Sequence, residues 1–176
     1  MPRMQTSQAG RAVPSYGGFW IRFSAAMWDT IIFGVPSVAL SFTLMFATGI
    51  QSISYFVSLA FLILTIYMDG VLGGTPGKLM LGLRIRNENG RFIGIPYAIL
   101  RYLGKIVSTI IIGIGYLMIA WDKRKQGLHD KIAGTFVLKE PGVERKALTV
   151  IGIVLGFLLP ILIILGIILF MSRIVN

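Results

Sequence analysis

Long apolar runs alternate with short polar, basic connections along the chain. The first run, Phe23 to Phe46, contains one charged position, Asp29. As a helix rising about 1.5 Å per residue it covers the roughly 30 Å of a bilayer's hydrocarbon core, with Pro36 as a bend. A second run, Ile53 to Leu72, follows the uncharged stretch "ATGIQS" and makes the other arm of a helical hairpin. The last run, Leu148 to Met171, carries no charge and reads as a further membrane helix. The pattern predicts helices over about 19–47, 53–72 and 148–171.

Residues 92–121 fit this scheme less simply. The segment is long and apolar enough to cross, yet both flanks are basic. Six Lys or Arg face one acid over 73–105, and seven face four acids over 122–147. A single crossing puts one basic flank on the outer side, so the charge pattern favours a segment that enters and returns, with a fourth crossing as the alternative. Its first part, from Pro96 to about Ser108, reads as an amphipathic helix with Tyr97, Arg101, Lys105 and Ser108 on one polar stripe. Its second part, about Ile110 to Trp121, reads as a short buried helix, the predicted helical region being 96–121. Before it, "LGLRIRNENGRFIGI" alternates around the turn "NENG" and predicts a β-hairpin over about 81–95; 134–139 offers one more strand. The expected fold class is an all-α integral membrane bundle of three to four transmembrane segments, one of them open to a re-entrant reading, with a small cytoplasmic β-hairpin.

Composition supports membrane embedding: 55% of the 176 residues are hydrophobic and 14% charged, and the mean hydropathy is +0.79. This is too apolar for a soluble domain of that size. Seventeen Lys and Arg against seven acids give a net charge of +10. In a membrane chain that excess marks cytoplasmic loops and anionic lipid headgroups as its partners. Nucleic acid is not expected, because no basic run is interleaved with exposed aromatics. The absence of Cys excludes disulfides and thiolate chemistry. Residues 1–18, polar and carrying Arg3 and Arg11, read as a flexible cytoplasmic tail rather than a cleaved signal, since the apolar run after them is too long. The membrane domain then covers 19–139, a linker 140–147 and the last helix 148–171. The basic N-terminal region places the N-terminus in the cytoplasm.

Candidate chemistry centres on Asp29. A carboxylate at membrane depth needs a proton, a partner or a function. Arg22 lies seven residues before it, on nearly the same helix face but about 10 Å away along the axis, too far for direct pairing. Either Arg101 or Lys105 is then the expected partner, in a structural lock; a carboxyl poised between proton and cation is the functional alternative. Asp69, near the end of the second helix, reads as an interfacial acid or as a second polar group facing Asp29. "GGTPGK" has the residue types of a phosphate loop without its spacing, and reads as a helix exit with Lys78 at the headgroups. His129, in "QGLHDKIAGT", reads as part of a packing turn. No nucleophile elbow or metal-ligand set is present, so neither an enzyme nor a cofactor is expected.

"GGFWIRFSAAMWDTII", "GGTPGKLMLGLRIRNENG", "RYLGK" and "WDKRKQGLHDKIAGTFVLK" together resemble the RDD family of bacterial membrane proteins, over about residues 17–139. The resemblance implies that Arg22 and Asp29 are the family's arginine and first aspartate. It favours Asp130 as the second, with Asp122 and Asp69 as competitors. It also implies transport, cation/proton exchange in some members, or an accessory role in others. The expected function is transport of a small cation or solute, proton-coupled through Asp29, with Arg22, Asp69, Arg101, Lys105 and Asp130 completing the polar core. Transport by so short a chain implies a homo-oligomer. The alternative is an accessory or regulatory subunit of a larger membrane complex.

Overall fold

The structure is a computed structural model that describes residues 15–111, 113–143 and 145–175. Most of the predicted N-terminal tail, residues 1–14, lies outside the described residues. A nearly continuous helix begins the described fold: α1, Phe19–Asp29, a π-helical turn, Thr30–Gly34, and α2, Val35–Thr48. Pro36 cannot donate to the carbonyl four residues earlier, and the widened turn just before it accommodates the loss. Gly49, with φ +69°, ends α2. Helix α3, Ile53–Tyr67, returns alongside and also ends in a π-helical turn, Met68–Leu72. The hairpin packing is set by contacts such as Phe33 against Phe61, ring centroids 5.9 Å apart.

The connection from there is more ordered than the reading as a helix exit implies. Pro76 starts the short helix α4, Pro76–Met80, and strand β1, Leu83–Asn87, follows. The predicted local hairpin is not formed. Asn87 instead accepts the backbone N–H groups of Asn89 and Arg91 through its side chain, closing a tight turn that leads straight into helix α5, Gly94–Ile110. The partner of β1 is β2, Thr135–Lys139, in antiparallel register with Ile85 opposite Val137. Residues Ser15 to Gly17, placed in the tail by the sequence reading, run along the other edge of β2, where Gly17 N–H donates to the Val137 carbonyl at 2.8 Å. Leu83, Ile85 and Val137 are buried under this sheet with Ala25, Leu81, Ile93 and Ala98.

Between the strands, α5 and α6, Ile114–Trp121, meet at 102°. Because β1 and β2 pair, the chain that leaves at Asn87 comes back to the same sheet at Thr135. The segment that contains the two helices therefore leaves the sheet and comes back to it. The short helix α7, Leu128–Ile132, closes the excursion, with Gly104 of α5 so near that a Cβ there would sit 2.8 Å from the His129 Cα. The inward face of α5 is Ala98, Arg101, Gly104 and Ser108. Tyr97 points outward, so the predicted polar stripe is correct only for Arg101 and Ser108, with Lys105 half-buried at its margin.

Helix α8, Lys146–Val175, runs longer than the predicted 148–171 and continues through Pro160. It packs on α1: Ser24 Oγ and Trp28 Nε1 both donate to the Leu148 carbonyl, at 3.3 and 3.1 Å. Glycines permit the approach, since a Cβ on Gly156 would meet the Phe23 ring at 2.6 Å. Phe19–Thr48, Ile53–Leu72 and Lys146–Gly166 are each long and apolar enough to cross a membrane. The expected class, an α-helical membrane bundle with a small antiparallel sheet, is the fold observed.

Candidate functional site

Three aspartates gather beneath the sheet, each held differently. Asp130 sits in the first turn of α7 and is fully buried. Its Oδ2 accepts Arg22 Nη1 at 2.5 Å and the Gly127 N–H at 3.1 Å, while Arg101 Nη2 lies 2.5 Å from Oδ1. Arg22 is fixed in turn by donating to the carbonyls of Gly17 and Lys125, at 2.7 and 2.6 Å. Thus Arg22 does not stand free at an interface: one arginine ties α1, the start of the chain's described part and α7 together. Burial alone would raise the pKa of Asp130, yet Arg101 and Arg22 outweigh it and hold the carboxyl below its ordinary range. His129 contacts the same carboxylate with Nε2 at 3.5 Å. Burial pushes its pKa down to about 3, with Asp130 opposing and Arg101, Lys105 and Arg22 reinforcing. The ring is therefore neutral near pH 7.

Asp69 lies in the π-helical turn after α3 and is also buried. Lys78 Nζ donates to its Oδ1 at 2.6 Å, and Lys105 Nζ is 3.5 Å from Oδ2. Two sequence expectations are corrected here. Asp69 is not an acid in open water, and Lys78 is turned inward to it rather than outward to lipid headgroups. Burial lowers the Lys78 pKa, and Asp69 opposes that shift.

Asp29 closes α1 directly before the other π-helical turn. Neither expected lock forms: Arg101 is committed to Asp130, and Lys105 faces Asp69. Asp29 instead accepts the Thr75 hydroxyl at one oxygen and the Gly77 N–H, 2.7 Å away, at the other. Gly77 is necessary for that approach, because a Cβ there would collide with the Ala25 carbonyl and lie 2.9 Å from Asp29 N and Oδ1. Thr75 and Gly77 are site residues that the sequence reading missed. The signal was "TPG", a helix start in which Pro occupies the first turn and leaves the next amide to donate forward.

Asp122, a competitor for the second aspartate, pairs with Lys131 at 2.6 Å and accepts the N–H groups of Arg124 and Gln126. It shapes a surface turn. The sequence-predicted Arg22, Asp29, Asp69, Arg101 and Lys105 all line one cavity of about 650 Å³, with Thr75, Lys78, Tyr116 and His129. Asp130 stands directly behind its wall through Arg22 and Arg101. No group of metal-ligating residues occurs among the described residues. The cavity can bind a solute between fixed charges, and it holds one carboxyl, Asp29, whose direct partners are both uncharged.

Comparison with known proteins places these residues in a family. Uncharacterized protein YxaI of Bacillus subtilis is 36% identical over 145 residues, covering 69% of this chain and 95% of its own. Uncharacterized protein YckC of the same organism is 35% identical over 136 residues, covering 73% of this chain and 88% of its own. Uncharacterized membrane protein YteJ, also from B. subtilis, is 27% identical over 137 residues, covering 72% and 82%. No solved structure matches the chain. The RDD family profile matches residues 16–134, which include Arg22, Asp29, Asp69, Arg101, Lys105 and Asp130. The chain is a membrane protein of the RDD family.

Proposed function

We propose that the protein is a small proton-coupled transporter of the bacterial cytoplasmic membrane, with its N-terminus inside the cell and Asp29 as the proton-carrying group. The observation that carries this reading is the cavity bounded by Asp29, Asp69, Arg101 and Lys105 within a bundle of membrane-length helices. Asp130 and Asp69 are clamped by cations, so protonating either breaks an ion pair. Asp29 rests on a hydroxyl and an amide, and can gain or lose a proton while keeping both contacts. A solute entering the cavity changes the field at that carboxyl, which is the coupling that exchange or symport requires.

Asp29→Asn tests the assignment. Asn offers an oxygen to the Gly77 N–H and an NH₂ to the Thr75 oxygen, so the fold and thermal midpoint are expected to hold. Proton movement in vesicles containing the purified protein is expected to vanish. Wild-type proton flux in the Asn variant rules out the assignment.

A second reading, an accessory subunit of a larger complex, is favoured by the rigidity of the Arg22–Asp130–Arg101 cluster, which locks the bundle whether or not anything moves through it. The native mass after gentle extraction separates the two. A homo-oligomer supports transport, and a stoichiometric foreign chain supports the accessory role.

A further inference from the structure

Charges around the cavity are unbalanced in a way that selects the ligand. Four cations line it, Arg22, Lys78, Arg101 and Lys105, against two carboxylates on the wall, Asp29 and Asp69, and with Asp130 behind the wall pairing Arg22 and Arg101 the excess is one positive charge. Both carboxylates are already covered, one by Thr75 and Gly77 and the other by Lys78. A cation entering here meets ammonium and guanidinium groups and has no free carboxylate to receive it.

The unsatisfied groups have the opposite preference. Arg101 is 2% exposed and spends one nitrogen on Asp130, while its Nε and Nη1 have no hydrogen-bond partner. Buried guanidinium donors are seldom left unpaired, because the desolvation they suffer is then uncompensated. Lys105 stands 3.5 Å from Asp69, beyond the distance of a tight charged hydrogen bond, and is partly open. Away from these groups the wall is apolar, with Phe19, Phe23, Ile66 and Leu117.

We propose that the cavity binds a small organic anion, its single carboxylate or phosphate head taken by Arg101 and Lys105 and its apolar body lying against Phe23, Ile66 and Leu117. The inference rests on the cavity being the solute site of the transport reading, and it names the solute's class. The head can belong to a free organic acid or to an anionic lipid that places a chain in the cavity. About 650 Å³ is room for a molecule of modest size.

The test uses three probes of equal shape on the full-length protein in detergent: 3-phenylpropionate, 3-phenylpropanol and 3-phenylpropylammonium. Calorimetry is expected to show binding of the acid, weaker binding of the alcohol and none of the ammonium. Lys105→Gln, at the cavity's rim, is expected to weaken the acid about tenfold or more without affecting the alcohol. Arg101→Gln is expected to weaken it further, but strips Asp130 of a partner, so Lys105→Gln decides if that variant does not fold. Equal binding of acid and ammonium, no binding of the acid, or an unchanged affinity in Lys105→Gln overturns the proposal.

Native mass spectrometry assigns the source. A co-purifying anionic lipid displaced by the acid places the natural head on a lipid, and acid binding to lipid-free protein places it on a free acid. Acid binding without flux in vesicles refutes transport and leaves the site standing. Proton-coupled cation flux without acid binding does the reverse.

Discussion

Asp130 is held by two guanidinium groups and a backbone amide, and among the described residues those guanidinium groups pair with no second carboxylate. Asp130→Asn removes the one anion that both cations share. Breaking a buried ion pair from one side costs about 3–5 kcal/mol, so the variant is expected to unfold well below the wild-type midpoint in detergent and to accumulate poorly. His129 gives a separate pH signature. Its pKa is lowered to about 3 from 6.5, so the neutral ring is the form the fold prefers, and the unfolded chain takes the proton first. That contribution to stability is complete above about pH 6.5 and is lost as pH falls toward 3. His129→Gln is expected to flatten the thermal midpoint's pH dependence between 6.5 and 4; an unaltered slope refutes the assignment. Asp130, depressed below the ordinary carboxylate range, keeps its contribution through that window and loses it only in stronger acid. Arg22 and Asp29 were legible as residues of interest because charge in an apolar run is conspicuous. Their partners were not legible, because Arg22 meets Asp130 across 108 positions and nothing local encodes that distance.

At the scale of elements, hydrophobic length located the helices at 19–48 and 53–72 to within a residue, since spanning requires unbroken apolar surface, but cut the last one, 146–175, short at both ends, where it runs on into polar residues. The failed hairpin shows the limit of pattern. Alternation in "LGLRIRN" identified β1, but alternation says nothing about which edge a strand will pair with, and β1 takes β2 as its ladder partner while Ile93 only joins the core beside it. Short helix α4 escaped notice because a five-residue helix has no periodicity to read. Its place against α1 is nevertheless tight. Gly77→Ala drives a methyl into the Ala25 carbonyl and against Asp29, and overpacking of this kind costs about 1–3 kcal/mol. The variant is expected to lower the thermal midpoint and also to disturb the Asp29 contacts, so proton movement in vesicles falls with it. A midpoint equal to wild type contradicts the close packing of α1 on α4.

For the whole molecule, the sheet fixes a topology. With β1 and β2 paired, residues on either side of the α5–α6 excursion meet at one sheet, and the topology expected from that pairing puts them on one face of the membrane with the loop after α2 on the other. The chain has no native Cys, so single cysteines report sidedness directly. In intact cells, Gln51→Cys is expected to react with a membrane-impermeant maleimide, while Glu88→Cys and Lys123→Cys react only after the membrane is opened. Opposite accessibility of positions 88 and 123 would mean that 94–121 crosses. The same pairing also sets an order of events in biosynthesis. At roughly 5–20 residues per second, Arg22 waits about 5–20 s after its own synthesis before Asp130 exists. β1 likewise emerges well before the strand that covers it. During that interval Arg22 lacks the carboxylate that holds it in the finished fold, so the lock between the two halves of the chain closes only late in synthesis.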